Sequence, residues 1–175
     1  QCKSCAEYCP NNTTFLKCGR GPGEAHPGVC VECGPGTYQV RGTANSSTDS
    51  AWHGKCFKCP AGYFTDESDT SNCKACSVGH YQDKPLKSFC RQCAKGRWGS
   101  QAALNLSGCS GSCPVGYSSA DASLLCRACA TGTYQPAIAQ SSCLLCPAGR
   151  FSQLESSTTC TFCGLVEFSE QGKSS

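Results

Sequence analysis

The sequence predicts a small disulfide-rich fold: an elongated rod of stacked, single-bridge cysteine-rich repeats, built of short irregular β-hairpins with little helix. Three observations predict it. Twenty of the 175 residues are cysteine, whereas Leu, Ile, Val and Phe together make up only about 14 % of the chain, below the roughly 20 % that accompanies a large buried core. Charge is low, 15 % of residues with a net +3, so the chain lacks the like-charge bias of a disordered polymer. The cysteines, finally, recur in phase with a fixed set of companions. Bridges must supply the order that apolar burial supplies elsewhere, which argues against an enzyme domain built on a large apolar core.

The cysteines fall in close pairs: Cys2/Cys5, Cys30/Cys33, Cys56/Cys59, Cys73/Cys76, Cys90/Cys93, Cys109/Cys113, Cys126/Cys129, Cys143/Cys146 and Cys160/Cys163. All are C-x-x-C except Cys109/Cys113. Cys56, Cys73 and Cys90 are 17 residues apart, as are Cys126, Cys143 and Cys160. Between these two runs, the loop from Cys93 to Cys109 is lengthened by two residues. Three residues after the second cysteine stands glycine: Gly36, Gly62, Gly79, Gly96, Gly116, Gly132 and Gly149. Two residues further on stands a ring: Tyr38, Phe64, Tyr81, Trp98, Tyr134, Phe151 and Phe168. The Cys113 repeat moves its ring to Tyr117, and the last repeat has Val166 for glycine. Such a period is the mark of an array and takes precedence over any local reading.

Each element of the unit has a physical reason. Cys-Pro-Ala-Gly at Cys59 and Cys146 places Pro second and Gly fourth, as a type I turn starting on the cysteine prefers. A short extended run headed by the ring follows, such as Tyr63-Phe64-Thr65. A Ser/Asp/Thr-rich return then leads to the next cysteine. The expected unit is a hairpin closed by one bridge, its ring covering the sulfurs. A bridge closing such a loop contributes about 3 kcal/mol in the chain-entropy picture, against an ordering cost of the order of 20 kcal/mol for a whole repeat. One repeat alone should not fold, whereas a stack can.

The pairing is constrained by phase and not settled by it. If the second cysteine of each pair bridges forward to the first of the next, the bridges are Cys33–Cys56, Cys59–Cys73, Cys76–Cys90, Cys93–Cys109, Cys113–Cys126, Cys129–Cys143 and Cys146–Cys160. Cys163 is then left over, its partner expected just past residue 175, so the sequence reads as a length of a longer array. So many cysteines suit an oxidising compartment. Asn-X-Ser/Thr acceptors at Asn11, Asn12, Asn45 and Asn105 point the same way. N-linked glycans are expected, other cofactors are not, and the location expected is secreted or on the extracellular face of the cell. No apolar run approaches a membrane span. Scattered Lys and Arg suggest a solvated surface rather than a nucleic-acid site.

Cys-Pro-Ala-Gly-Tyr-Phe…Cys resembles the single-bridge module of tumour-necrosis-factor-receptor cysteine-rich domains and the related ephrin-receptor-like repeats. The spacing Cys2-x2-Cys5-x3-Cys9…Cys18…Cys30 is similar to the double-bridge module of the same receptors. That resemblance implies crossed bridges Cys5–Cys18 and Cys9–Cys30, with Cys2 left over at the start. It also implies an extracellular rod. The expected organisation is a double-bridge module over 1–33, an irregular insert over 34–55, repeats over 56–163 and a further repeat beginning in 164–175. Receptors of that family alternate the two module types, whereas here single-bridge units run consecutively, which looks more like the long arrays of surface and matrix proteins.

Other chemistries fit less well. Tetrathiolate zinc would use two adjacent pairs and would make the spacers alternate, and they do not. A redox C-x-x-C needs a helix N-terminus behind the thiol, and no amphipathic helix follows any pair. His26, His53 and His80 are far apart and never recur in the repeat. Asp66, Glu67 and Asp69 could suggest calcium, but the repeat does not preserve the cluster, which reads as a solvated turn. Trp98 occupies the ring slot, while Trp52, in the insert, is the better candidate for a contact. The function expected is mechanical: a glycosylated spacer or filament subunit of a cell-surface assembly such as a flagellar hair or surface coat. Its partners would be other protein subunits or copies of itself. The competing expectation is a receptor ectodomain binding a protein ligand, and no enzymatic role is expected.

Overall fold

A computed structural model of the chain describes residues 14–15, 30–31, 33–39, 56–68 and 70–164. Among them there is no helix, and the strands are two or three residues long. Each strand pairs with one other, always antiparallel. The pairing follows the repeat. The strand carrying the ring lies against the two residues inside the next cysteine pair, so Tyr63 opposes Ala75 and Phe64 opposes Lys74. Likewise Thr133 opposes Leu145 and Tyr134 opposes Leu144. Two-stranded ribbons this short are marginal by themselves, so their order has to come from bridges and neighbours.

The described residues form two compact units: those up to Ala75 with Lys84–Cys90, and Cys76–Asp83 with those from Arg91 onward. In the first unit Cys33 is bonded to Cys56 and Cys59 to Cys73. In the second the bridges are Cys93–Cys109, Cys113–Cys126, Cys129–Cys143 and Cys146–Cys160. Cys76 and Cys90 are disulfide-bonded as well. The core of each unit is sulfur: the second cysteines, Cys33, Cys59, Cys76, Cys93, Cys113, Cys129 and Cys146, are no more than 1 % exposed.

The turn after each second cysteine differs from the one the sequence suggests. It begins on the residue after the cysteine and closes through Tyr63 N–H donating to Pro60 O, Tyr117 to Pro114 and Arg150 to Pro147, at 3.1–3.2 Å. Glycine is therefore third in the turn rather than fourth, and its φ of +75° to +87° from Gly36 through Gly149 is that of a type II turn. The physical reason lies in the glycine N–H. A turn starting on the cysteine would need that single donor, but Gly36 N–H already donates to Thr65 O, Gly96 to Ser119, Gly116 to Gln135 and Gly132 to Ser152, at 2.8–2.9 Å.

The rings are not the enclosed residues of the repeat. Tyr38, Phe64, Tyr81, Trp98, Tyr134 and Phe151 are only half-buried. The residue six places after each second cysteine is the one enclosed: Gln39, Thr65, Gln82, Ser119, Gln135 and Ser152 are at most 5 % exposed, and Gly99 is buried too. Beside the buried sulfurs, the enclosed positions are therefore polar or small.

Candidate functional site: the junction between repeats

The recurrent feature of both units is the way one repeat is hydrogen-bonded to those that follow. In the first unit the glycine N–H of one repeat donates to the buried slot of the next, Gly36 to Thr65 O at 2.8 Å. The buried slot's own N–H donates into the polar return of the next repeat, Gln39 to Thr70 O at 2.9 Å. Leu86 N–H reaches back to Cys59 O at 2.9 Å. The second unit repeats the scheme along its length. Gly96, Gly116 and Gly132 donate to Ser119, Gln135 and Ser152, at 2.8–2.9 Å. Ser119 and Gln135 donate to Gln140 at 3.1 Å and Ser157 at 2.9 Å, while Ala139 reaches back to Cys113 O at 2.8 Å.

A third contact skips a repeat. The residues that reach back to cysteine carbonyls, Leu86, Ala103, Ala122, Ala139 and Ser156, all have φ of 56–61°, a left-handed conformation that costs a non-glycine residue roughly 1–2 kcal/mol. This conformation brings their backbone up to the glycine two repeats earlier. A Cβ on Gly96 would lie 2.0 Å from Ala139 O, one on Gly79 2.2 Å from Ala122 O, and one on Gly116 2.2 Å from Ser156 O. In the first unit a Cβ on Gly36 would lie 2.9 Å from Leu86 O. Glycine is thus demanded twice, by the turn and by the closeness of the second repeat along.

Side chains brace the repeats, across the junction and within each one. Ser119 Oγ donates to Arg97 O in the preceding repeat at 2.9 Å. Gln135 donates through Nε2 to Ser142 O at 2.7 Å and accepts from Ala137 N–H at 3.2 Å. Ser152 Oγ donates to Ser157 Oγ at 2.6 Å. The backbone N–H of Lys95 donates to Asp121 Oδ1 at 3.1 Å, joining a turn to the return loop of the next repeat. A signal for the buried slot exists in the sequence. Six places after each second cysteine stand Gln39, Thr65, Gln82, Gly99, Ser119, Gln135 and Ser152, always polar or small. The adjacent rings mask it.

The remaining candidate residues are dispersed. Lys74 Nζ donates to Glu67 Oε1 at 2.8 Å and to Asp66 Oδ1 at 3.1 Å, so the chain's own ammonium lies against two of the three carboxylates that could suggest calcium. Its hydrogen bond holds the Asp66 carboxyl below the usual carboxylate range. The bonds to Glu67, then Asp66, hold Lys74 above its ordinary value. His80 Nδ1 lies 3.3 Å from Ser77 Oγ and 3.2 Å from Val78 O, within its own turn. Trp98 is half-buried and pairs across its ribbon with Gly111. Cross-strand ring contacts join Tyr38 to Phe57, with centroids 5.7 Å apart, and place the Arg150 guanidinium 3.7 Å over Phe162. Asn105 is exposed. Cys163 is half-buried, its N–H donating to Gly149 O at 3.0 Å. Among the described residues no group of three His, Cys, Asp or Glu is placed to hold a metal, and no helix is long and apolar enough to cross a membrane. The bridges expected for Cys5, Cys9, Cys18 and Cys30, the leftover Cys2, the acceptors Asn11, Asn12 and Asn45, His26, His53, Trp52, Asp69 and Phe168 lie outside the described residues or their described side chains.

A family profile described as tyrosine-protein kinase ephrin type A/B receptor-like matches residues 47–86 and 116–163, half of the chain. The chain belongs to this ephrin-receptor-like cysteine-rich family. The second match runs from Gly116 to Cys163 and so covers the Cys129 and Cys146 repeats with their bridges. No curated protein matches the sequence. Membership of the ephrin-receptor-like family and the density of disulfides together point to an extracellular cysteine-rich domain.

Proposed function

We propose that this ephrin-receptor-like chain is a secreted or cell-surface structural segment: a glycosylated spacer or filament subunit whose partners are other subunits or copies of itself. The observation that carries the reading is the junction. Within each compact unit the recurring backbone chemistry of the repeat is directed to neighbouring repeats, through hydrogen bonds to the next and close approach to the one after. Such an arrangement resists bending locally and can be extended by adding repeats. It supports a mechanical role and gives no reason to assign catalysis. A second reading, a receptor ectodomain, is favoured by the description of the family itself and by exposed apolar side chains such as Leu125, Leu145, Leu154 and Phe162, which a protein ligand could cover.

Electron microscopy of the native extracellular material separates the two. Fibres or extended multi-subunit structures are expected. Isolated single molecules at physiological concentration, in a gene product with a membrane-spanning helix and a cytoplasmic domain, would favour the receptor.

A further inference from the structure

The one irregular return loop of the second unit is set apart from the junction, and this separation bears on modification. In the Cys93 repeat the junction contacts are all made before Asn105. Ala103 N–H donates to Cys76 O at 2.8 Å, and Leu104 O accepts from Gln82 N–H at 2.9 Å. From the matching point other repeats go straight to the next cysteine through 124–125 or 141–142, whereas here 105–108 intervene before Cys109. The two additional residues therefore displace nothing in the stack. They form a turn of their own, closed by Cys109 N–H donating to Leu106 O at 3.0 Å. Asn105 and Ser107 are exposed, and Leu106 is 66 % exposed. Asn105-Leu106-Ser107 is an acceptor triplet whose middle residue is not proline.

We infer that this loop is a glycan-acceptor site and that Asn105 carries an N-linked oligosaccharide in the mature protein. The inference rests on the extracellular reading above. The donor is an oligosaccharide linked through pyrophosphate to a lipid. Asn105 Nδ2 forms a bond to the anomeric carbon of the reducing-end sugar, the bond from that carbon to the pyrophosphate oxygen breaks, the lipid pyrophosphate leaves, and an amide proton passes to the transferring enzyme's base. No electrons are gained or lost. A bulky polar substituent here projects from a turn that holds none of the junction's backbone bonds, so it can be added without disturbing the stack.

The test is to secrete the whole chain from a eukaryotic cell and examine the peptide containing Asn105 by mass spectrometry, before and after enzymatic release of N-glycans. The expected result is a glycopeptide whose release converts Asn105 to aspartate. Ser107→Ala should abolish it and Ser107→Thr should preserve it. Both variants should keep the wild-type disulfide map and melting temperature, because Ser107 is exposed. An unmodified Asn105 in secreted, fully bridged chain overturns the inference and leaves the spacer reading standing. Reduced chain retained inside the cell with Asn105 bare overturns both.

Discussion

At the scale of single residues, glycine and the Lys74 triad give the sharpest tests. Gly96 and Gly149 have nearly the same φ, +75° and +79°, so replacing either by alanine incurs the same left-handed strain of about 1–2 kcal/mol. Their surroundings differ. A Cβ at Gly96 meets Ala139 O at 2.0 Å, and a Cβ at Gly149 meets nothing within 4 Å. Gly96→Ala should therefore lower the melting temperature well beyond Gly149→Ala, or prevent secretion of folded chain. Equal effects would mean that glycine serves the turn alone. For the triad, the sign of the pH dependence follows from the directions of the shifts. Asp66 is lowered, so its contribution is present above the ordinary carboxylate value and fades as pH falls through the lowered one. Lys74 is raised, so its contribution is present below the ordinary amine value and is lost as pH rises through the raised one. An NMR titration should show the Asp66 midpoint below normal, moving back up in Lys74→Gln. An unmoved midpoint would contradict the pairing. The groups are exposed, so the effect on stability is small.

At the scale of the element, the hairpin was legible in the sequence where chemistry recurs visibly and illegible where it is hidden by a more conspicuous neighbour. Paired cysteines, glycine and aromatic marked the ribbon, because each has a strong conformational preference. The turn's register is not legible because Pro and Gly suit either one, and only the engagement of the glycine N–H by the next repeat, as Gly96 by Ser119 O, decides between them. The buried slot was missed because Gln, Thr and Ser ordinarily signal solvent. Here they are enclosed and satisfied by local hydrogen bonds. Gln135→Leu should consequently lose about 1–3 kcal/mol, the penalty for an amide's worth of unmet partners, read as a lower guanidinium midpoint with bridges intact. No change would show that the slot needs only volume. Ala139, held at φ 57°, predicts the reverse: Ala139→Gly should stabilise by about 1 kcal/mol, read the same way, and a loss would mean that its methyl contributes more than its strain costs.

At the scale of the molecule, a chain poor in large apolar side chains is ordered by bridges that each restrict one loop and by backbone bonds that make each repeat depend on its successors. The period carries this much of the architecture, since a 17-residue phase with recurring companions allows few ways to stack. The dependence on the repeat after next was not legible. It comes from a left-handed residue in the polar return, where Leu86, Ala103, Ala122, Ala139 and Ser156 share a conformation although none is Gly, Asn or Asp, the types that favour it. Forward bridging within the array is what holds the stack together. Peptide mapping of the unreduced secreted chain should recover Cys93 linked to Cys109, Cys113 to Cys126, Cys129 to Cys143 and Cys146 to Cys160, with these cysteines resistant to alkylation. Ready alkylation of these thiols, or links within a Cys-x-x-Cys pair, would contradict it.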